Sequence, residues 1–257
     1  MSSGPSSGVL AEARALLDAA EQITILTGAG ISTDSGIPDF RGPNGLWTKN
    51  PEAEKASNIR FYMSDPELRV KNWALRAEGA LWANVEPNLG HKTLVKLEEQ
   101  GKLHTLITQN VDELHQRAGT SADKVVEIHG TTRKVGCLDC DYTADMEVAL
   151  DRVRAGEADP NCPACGGILK SKTISFGQNL VEDDLYRAEV AALECDLMFA
   201  IGTSLAVSPI NRVVPIAKQQ GAKVLILNGE PTEMDALADV VINDSISDVL
   251  PQLIGES

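Results

Sequence analysis

Four of the five cysteines stand in two Cys-x-x-Cys pairs, Cys137 with Cys140 and Cys162 with Cys165, and 21 residues separate the pairs. Each pair can hold one side of a metal ion through a tight turn, and four thiolates complete a tetrahedron. Such a set leaves no position for water or substrate, so we expect one structural zinc ion. Two disulfides, or free thiols, are the alternative interpretation. The fifth cysteine, Cys195, lies beside a predicted buried strand and is interpreted as an unreactive core thiol.

His129 is the histidine that is placed best for proton transfer, because it follows the apolar run 125–128 and precedes a glycine. Imidazole has an ordinary pKa near neutrality, which suits a general base. A structural histidine at the end of a strand is the alternative. The other histidines, His91, His104 and His115, are interpreted as structural.

Residues 27–41 follow the short apolar run 23–26 and contain Gly28-Ala29-Gly30. A strand that runs into a Gly-x-Gly turn can bring backbone N–H groups close to a phosphate. The usual dinucleotide fingerprint has a third glycine three residues later, where this chain has Thr33. The stretch therefore predicts a phosphate-binding loop that differs from the ordinary Rossmann signature.

Three further polar clusters each follow a predicted buried strand: Gln109, Asn110 and Asp112 after 103–107; Gly202, Thr203 and Ser204 after 197–201; and Asn228 after 223–227. Asn110 and Asp112 could cap a helix, or they could recognise a ligand amide or ribose. The second cluster could donate to a phosphate, and each of the last two is a weak signal alone. Ligands of open parallel sheets bind at the carboxyl ends of the strands, so the clusters together predict one binding edge.

The elements that must position these residues alternate between strand and helix. Apolar residues at helical spacing predict a helix over 9–20, and Asp65-Pro66-Glu67 and Asn88 predict two helix starts. Short apolar runs predict the strands already named, with a last strand at 239–242 and a helix over 246–254. Residues 37–60 contain prolines and glycines without a clear period, which predicts an irregular binding loop. The alternation predicts a parallel sheet that is covered on both faces.

The composition excludes several classes of function. The chain has 257 residues and a formal net charge of -14, which argues against a nucleic-acid surface and favours weak attraction for lysine-rich substrates. No apolar run approaches the ~18 residues of a membrane span. Residues 1–8 have neither a basic nor an apolar segment, so we expect no signal peptide there and a disordered segment. Paired cysteines with a metal suit a reducing compartment, and we expect a cytoplasmic protein.

These motifs, taken together and in this order, resemble those of the sirtuin family, the NAD-dependent protein deacylases, and in particular its bacterial members. The resemblance spans about residues 20 to 250 and is carried by Gly28-Ala29-Gly30-Ile31-Ser32, Ser35-Gly36-Ile37-Pro38-Asp39-Phe40-Arg41, Thr108-Gln109-Asn110-Val111-Asp112, Leu114-His115, His129-Gly130, the two cysteine pairs, Phe176-Gly177 and Gly202-Thr203-Ser204-Leu205. No single motif is specific, whereas the combination is.

The resemblance implies an α/β fold in which a Rossmann-like doubly wound parallel sheet carries a smaller domain. That smaller domain would consist of a zinc module with four cysteine ligands and a helical insertion. The large domain would comprise 9–40, 84–130 and 176–257, and the small domain 41–83 and 131–175. NAD and an acyl-lysine peptide would bind in the cleft between them, and we expect the protein to be a monomer.

The resemblance also implies roles for individual residues. His129 would be the general base, and Asn110 would act with it. The NAD-binding residues would be Gly28, Ala29, Gly30, Thr33, Asp39, Phe40, Arg41, Gln109, Asn110, Asp112, Gly202, Thr203, Ser204 and Asn228. Asp112 would bind the nicotinamide carboxamide. The acyl-lysine peptide would add as a strand beside Phe176, Gly177, Gln178 and Val207.

This chain departs from the family near the predicted peptide strand. Gln178 stands where glutamate is usual, Ser175 replaces a large apolar residue, and Val181 replaces a common proline. Desuccinylating members hold the acyl carboxylate with a tyrosine and an arginine three residues apart. Alignment through 86–88 places Leu75 and Glu78 there, so acetyl or other neutral acyl groups are expected.

The implied activity is NAD-dependent removal of acyl groups from lysine, which yields nicotinamide and O-acyl-ADP-ribose. Two alternatives remain open from the sequence. The same scaffold could transfer ADP-ribose to a protein side chain, or it could bind NAD as a sensor without catalysis. The presence of His129 favours catalysis, because a sensor needs no general base.

Overall fold

The computed structural model describes residues 5–39, 45–49, 55, 57–79 and 85–255. Its strands are β1 (Ile23–Thr27), β2 (Leu103–Thr108), β3 (Val125–Glu127), β4 (Gly130–Cys137), β5 (Thr143–Asp145), β6 (Leu169–Thr173), β7 (Leu197–Ile201), β8 (Lys223–Leu227) and β9 (Val240–Ile242). Six of them form a parallel sheet in the order β3-β2-β1-β7-β8-β9. This is the Rossmann order, in which the chain builds the sheet outward from its centre in both directions. The loops that follow β1 and β7 are therefore neighbours.

The helices of the described residues are α1 (Ser7–Ala19), α2 (Leu46–Lys49), α3 (Ile59–Ser64), α4 (Pro66–Ala77), α5 (Leu89–Glu99), α6 (Leu114–Ala118), α7 (Met146–Arg154), α8 (Glu182–Glu194), α9 (Val213–Gln219) and α10 (Ile246–Ile254). Successive side chains of a strand point to opposite faces of the sheet. Ile23 and Ile25 of β1 accordingly pack with α1, α5 and α10, whereas Leu26 packs with α8 and α9. Both faces are buried, as the apolar runs predicted.

A second, antiparallel sheet has the strand order β5-β4-β6 and belongs to the cysteine-bearing segment. Its apolar side packs with α7 and with the buried Trp73 of α4. Arg69 of α4 pairs with Asp159 at 2.9 Å, and the Tyr62 hydroxyl donates to the Leu169 carbonyl at 2.9 Å. These contacts join the insertion 57–79 to the zinc-module segment, and both stand beside the carboxyl edge of the large sheet.

Most predicted elements lie where the sequence placed them. Asp65 accepts from the Leu68 N–H at 3.1 Å and Asn88 from that of His91 at 3.3 Å, so both predicted N-caps are confirmed. The prediction of an irregular stretch over 37–60 is wrong at 46–49 and at 59–60, which are helical.

Helix α1 begins at Ser7 with Ser6 as its N-cap, so residues 7 and 8 of the segment predicted to be disordered are helical. No helix in the described ranges is long and apolar enough to cross a membrane.

Candidate active site

A cleft of 1690 Å³ runs between the carboxyl edge of the large sheet and the small domain. All the predicted cofactor, catalytic and peptide residues that the structure describes line it: Gly28, Ala29, Gly30, Thr33, Asp39, Gln109, Asn110, Asp112, His129, Phe176, Gly177, Gln178, Gly202, Thr203, Ser204, Val207 and Asn228. The predicted residues Phe40 and Arg41 lie outside the described part of the chain. The structure thus brings together residues that are as far apart in sequence as 28 and 228.

The glycines of the predicted phosphate loop allow the loop after β1 to pack closely against the loop after β7. The N–H of Gly28 donates to Ile201 O at 3.1 Å, and that of Gly30 donates to Gly202 O at 2.9 Å. A Cβ on Gly28 would lie 2.7 Å from Gly202 O, and one on Gly30 would lie 2.8 Å from Gly202 Cα. The expectation that both N–H groups point at a phosphate is therefore wrong, because the loop after β7 already accepts them.

Other backbone donors remain for an anion at this edge. The N–H groups of Ala29, Thr203 and Ser204 have no acceptor within the described ranges. Gly36 ends the 3-10 turn of 29–35 in the left-handed region, with φ 90°, so it turns the chain toward Asp39. Thr33 donates to Gly30 O at 3.0 Å and stabilises the same turn. This set of donors around open space fits the diphosphate of a dinucleotide.

Asn110 and Asp112 are buried at the cleft wall and hold a fixed arrangement. Asn110 Nδ2 donates to Gly28 O at 3.2 Å and to Ser32 Oγ at 3.1 Å, which turns Oδ1 away from both partners. Ser32 Oγ also shares a hydrogen bond of 2.8 Å with Asp112 Oδ2, and Asp112 Oδ1 accepts from the Leu114 N–H at 3.0 Å. Burial raises the pKa of Asp112. The N-cap of α6 is Glu113, so the predicted cap role of Asp112 is wrong by one residue. One oxygen of Asp112 still accepts from the first N–H of the helix, and the other belongs to a buried network.

His129 is half-buried, and its tautomer follows from one contact. Its Nδ1 lies 3.0 Å from the Gln109 carbonyl oxygen, which can only accept. Nδ1 therefore carries the hydrogen, and Nε2 carries the lone pair of the neutral ring. Gln109 is itself held by donation to Thr203 Oγ1 at 2.9 Å. The two loops of the cofactor edge thus set the orientation of the ring.

Two more histidines lie behind the cleft, where the sequence predicted only structural roles. The ring centroids of His91 and His115 are 4.9 Å apart, and both side chains are almost fully buried. Burial lowers the pKa of His91 to about 4 and that of His115 well below its ordinary value. Both rings are therefore neutral in the folded protein near pH 7.

Lowering the pH from 7 to 5 is expected to destabilise the protein through these two rings. Their folded-state pKa values lie below the unfolded value of about 6.5, so the unfolded chain binds more protons in this window. The contribution of the two neutral rings to the free energy of unfolding is complete above pH 6.5 and is lost as the pH falls toward 4. His91 alone should lower the free energy of unfolding by about 2 kcal/mol between pH 7 and pH 5. Urea unfolding at the two pH values measures the loss.

The matched variants are His91→Gln and the double variant His91→Gln/His115→Gln. The first should reduce the difference between the two pH values, and the second should reduce it further. An unchanged difference in both variants would show that other groups cause the acid sensitivity.

The segment 176–178, where the peptide is predicted to bind, presents backbone donors and acceptors to the cleft. Phe176 already pairs with the insertion, since its N–H donates to Ser57 O at 2.9 Å and its carbonyl accepts from Ile59 N at 3.0 Å. The N–H and carbonyl of Gly177 have no partner within the described ranges. Gln178 Oε1 accepts from the Ser175 N–H at 2.9 Å, so glutamine closes this turn where the family has glutamate.

The four paired cysteines form one cluster. Their sulfurs all lie within 4.8 Å of one another, and Cys137 Sγ is 3.5 Å from Cys165 Sγ. Zn–S bonds of about 2.3 Å place the sulfurs of a tetrahedron about 3.8 Å apart, whereas a disulfide needs about 2.05 Å. None of the five cysteines is joined in a disulfide, so the disulfide alternative is excluded. The cluster is positioned to hold one zinc ion, away from the cleft.

Removal of zinc is expected to unfold the small domain and to abolish any activity of the cleft. Cys162 is buried in the same apolar cluster as Val135 and Leu169, so the metal and that core depend on each other. Chelation, or Cys162→Ser, should lower the melting temperature sharply. Cys195→Ser is the control, because Cys195 lies in the core of the large sheet and its variant should retain stoichiometric zinc. A metal-free protein that stays folded would contradict the zinc assignment.

The sequence did not predict several residues of this region. Ser32 and His91 contact the predicted Asp112 group, and Arg76 and Lys170 line the cleft from the small domain. Ser32 lies two residues after Gly30, within the predicted phosphate loop, and could have been found there. Nothing in the sequence places Arg76 or Lys170 near the cleft, because their helix and strand meet only in the fold.

The fold and the cleft together define a dinucleotide-dependent enzyme with a zinc-bearing small domain. The Sir2 family model matches residues 28–209. The chain belongs to the Sir2 family, the sirtuins.

Curated relatives and solved structures agree with this membership. The NAD-dependent protein deacetylase 2 of Streptomyces coelicolor is 47% identical over 90% of this chain and 96% of its own. The NAD-dependent protein deacetylase 1 of Bradyrhizobium diazoefficiens is 40% identical over 92% and 91%. A Sir2 enzyme solved with a p53 peptide and NAD+ has a TM-score of 0.84 and 34% identity, over 95% of this chain and 96% of its own.

Proposed function

We propose that this protein is an NAD-dependent protein-lysine deacetylase, which releases nicotinamide and O-acetyl-ADP-ribose. The observation that carries the proposal is the shared cleft, in which Asn110, Asp112 and His129 converge with the two glycine loops. Relatives along almost the whole chain are NAD-dependent protein deacetylases. This favours deacetylation over ADP-ribosyl transfer and over a non-catalytic sensor.

Different residues of the cleft act on different parts of NAD. NAD supplies the leaving nicotinamide and the ribose that accepts the acyl group. Ala29, Thr203 and Ser204 offer backbone N–H groups to its phosphates, and Asn110 and Asp112 orient the nicotinamide end. His129 Nε2 then removes a proton from a ribose hydroxyl, since its Nδ1–H is fixed on Gln109. The enclosing cleft excludes water, which would otherwise compete with the weakly nucleophilic acyl oxygen.

The decisive experiment incubates the protein with NAD and an acetyl-lysine peptide, and follows peptide and nucleotide products by mass spectrometry. Deacetylated peptide with stoichiometric acetyl-ADP-ribose supports the proposal. ADP-ribose attached to protein without loss of acetyl would favour the transferase. Binding of NAD without turnover of any acyl peptide would favour the sensor.

The acyl preference depends on residues that line the small-domain end of the cleft. Glu78 occupies the position that is an arginine in the desuccinylating members. It is exposed and does not line the cleft. Arg76 does, and it has no carboxylate partner within the described ranges. The buried Lys170 also lines the cleft, but its ammonium donates to Ser171 O, Thr173 O and Thr173 Oγ1, and burial lowers its pKa to about 7, so Arg76 is the cation that is available to an acyl carboxylate. We therefore expect acyl groups that end in a carboxylate, such as succinyl, to be accepted in addition to the neutral acyl groups predicted from the sequence.

Arg76→Gln is expected to reduce kcat/KM for a succinyl-lysine peptide by about 10- to 100-fold, the worth of one charge-assisted hydrogen bond. The acetyl-lysine peptide is the internal reference and should lose less than about threefold. Lys172→Gln is the matched control, since it removes a charge from the same strand as Lys170 at an exposed position outside the cleft lining. Equal losses for both peptides would contradict the role of Arg76.

The proposed enzyme also has an expected domain division, oligomeric state and location. We expect the small domain to comprise 41–83 and 131–175, and the protein to act as a monomer in the cytoplasm on acyl-lysine proteins. The net charge of -14 supports the expectation that it does not bind nucleic acid. Light scattering with and without substrate peptide tests the oligomeric state.

A further inference from the structure

A buried polar group lies behind the carboxyl of Asp112, and the reaction described above does not use it. Ser32 Oγ is 2.8 Å from Asp112 Oδ2, 3.3 Å from His91 Nε2 and 3.1 Å from Asn110 Nδ2. On its other side, His91 Nδ1 is 3.0 Å from Asn88 Oδ1. Ser32 and His91 are fully buried and Asp112 is 6% exposed, so their hydrogen bonds must be satisfied inside the protein.

The hydrogens of this group can be counted. Asn88 presents its oxygen to His91, because its nitrogen donates to the Ile31 carbonyl at 2.7 Å. His91 Nδ1 therefore carries a hydrogen, and in a neutral ring Nε2 accepts one. Ser32 can supply it, and a hydroxyl has only one hydrogen. The same hydroxyl can instead donate to Asp112 Oδ2. When it satisfies His91 Nε2, the 2.8 Å contact requires a protonated Asp112 carboxyl that donates to Ser32.

The same atoms allow a second arrangement with the same number of protons. If Asp112 gives its hydrogen to Ser32 Oγ and Ser32 gives its own to His91 Nε2, the result is a carboxylate and an imidazolium. Burial disfavours that state in the free protein, since it raises the pKa of Asp112 and lowers the pKa of His91 to about 4.

We propose that Ser32 and His91 form a proton relay that takes up the proton of Asp112 when a cationic nicotinamide ring enters the cleft. The proposal rests on the function argued above, in which Asp112 faces that ring. A positive charge beside Asp112 favours its carboxylate, which also accepts from the carboxamide NH2. The Asp112 O–H bond breaks as the bond from hydrogen to His91 Nε2 forms, and Ser32 exchanges one hydrogen for another. Asp112 thereby ionises without releasing a proton to water.

The neighbouring titratable groups leave His91 as the acceptor. His115 packs on the His91 ring, but its Nε2 is bound to Thr27 Oγ1 at 3.0 Å rather than to Ser32. Burial raises the pKa of Asp112, an effect that the charge of Arg117 partly offsets, and burial followed by the charge of Glu113 raises the pKa of Glu127 to about 7. No hydrogen bond within the described ranges joins Arg117 or Glu127 to Ser32 or His91. Ser32 and His91 thus act as positioning residues through Asp112.

Calorimetric titration with NAD between pH 6 and pH 8, in two buffers of different ionisation enthalpy, tests the relay. The wild-type protein should bind with no net proton release and with a pH-independent Kd. Ser32→Ala and His91→Gln each leave Asp112 to release its proton to solvent, so affinity should weaken by up to about tenfold for each unit of falling pH. His115→Gln is the matched control and should keep the wild-type behaviour. Proton release by the wild type, or pH-independent binding in both relay variants, overturns the proposal.

Nitrogen NMR of histidine-labelled protein supplies a second readout that needs no turnover. His91 should be neutral in the free protein and charged when NAD is bound. A ring that is neutral in both states, or charged in both, overturns the relay even if deacetylation is observed. Failure to bind NAD at all would instead count against the proposed function, so the two failures are distinguishable.

Discussion

His129→Ala is expected to lower kcat for deacetylation by about 10²- to 10⁴-fold, the usual contribution of a general base, with little change in NAD affinity. The imidazole is fixed by donation from Nδ1 to Gln109 O at 3.0 Å, which makes Nε2 the basic atom. The side chain of Gln109 keeps its own bond to Thr203 Oγ1 when the imidazole is removed. The variant therefore removes the proton acceptor and leaves the cofactor edge intact.

Two measurements separate this role from a structural one. Exchange of labelled nicotinamide into NAD in the presence of acetyl peptide reports the step before the base acts, and it should persist in His129→Ala while acetyl-ADP-ribose is lost. His104→Ala is the control, because His104 is a half-buried histidine of β2 that does not line the cleft. A kcat within about threefold of the wild type, or loss of exchange together with product, would contradict the role of base.

The sheet could be predicted because its strands are short apolar runs that end in polar residues. Ile23–Thr27 and Leu197–Ile201 are buried on both faces, so every position is apolar or a hydrogen-bonded threonine. The helix Ile59–Ser64 was missed for the opposite reason. It has only one turn and a half, and the prolines and glycines upstream of it hide its N-cap, Asn58.

The cleft could be predicted as a set of residues, but its internal contacts could not. Ser32 and His91 are 59 positions apart, and they meet only because α5 packs on the same sheet face as the turn after β1. The glycine motif was recognised correctly for a partly wrong reason. Gly28 and Gly30 are needed because Gly202 lies against them, a contact that depends on the adjacency of β1 and β7.

Gly130→Ala is expected to destabilise the protein and to abolish activity, although the added group is one methyl. Gly130 follows His129 and has φ 72°, and a Cβ there would clash with the carbonyl oxygen of Lys172. The left-handed conformation alone costs an alanine about 1 kcal/mol. The clash forces β4 away from β6 and adds roughly 3 kcal/mol. Urea unfolding gives the free-energy change, and the peptide assay gives the activity.

Gly101→Ala separates these two causes, because Gly101 has φ 73° with nothing within 4 Å of its Cβ. It should lose about 1 kcal/mol and keep full activity. In Gly130→Ala the separation of the strands also breaks the bond from the Ile174 N–H to His129 O, 2.7 Å in the structure, so the imidazole moves relative to Gln109. Activity should therefore be lost even at temperatures where the variant is folded. Equal effects of the two substitutions would mean that backbone strain alone, and not the packing of the two strands behind His129, sets the requirement for glycine.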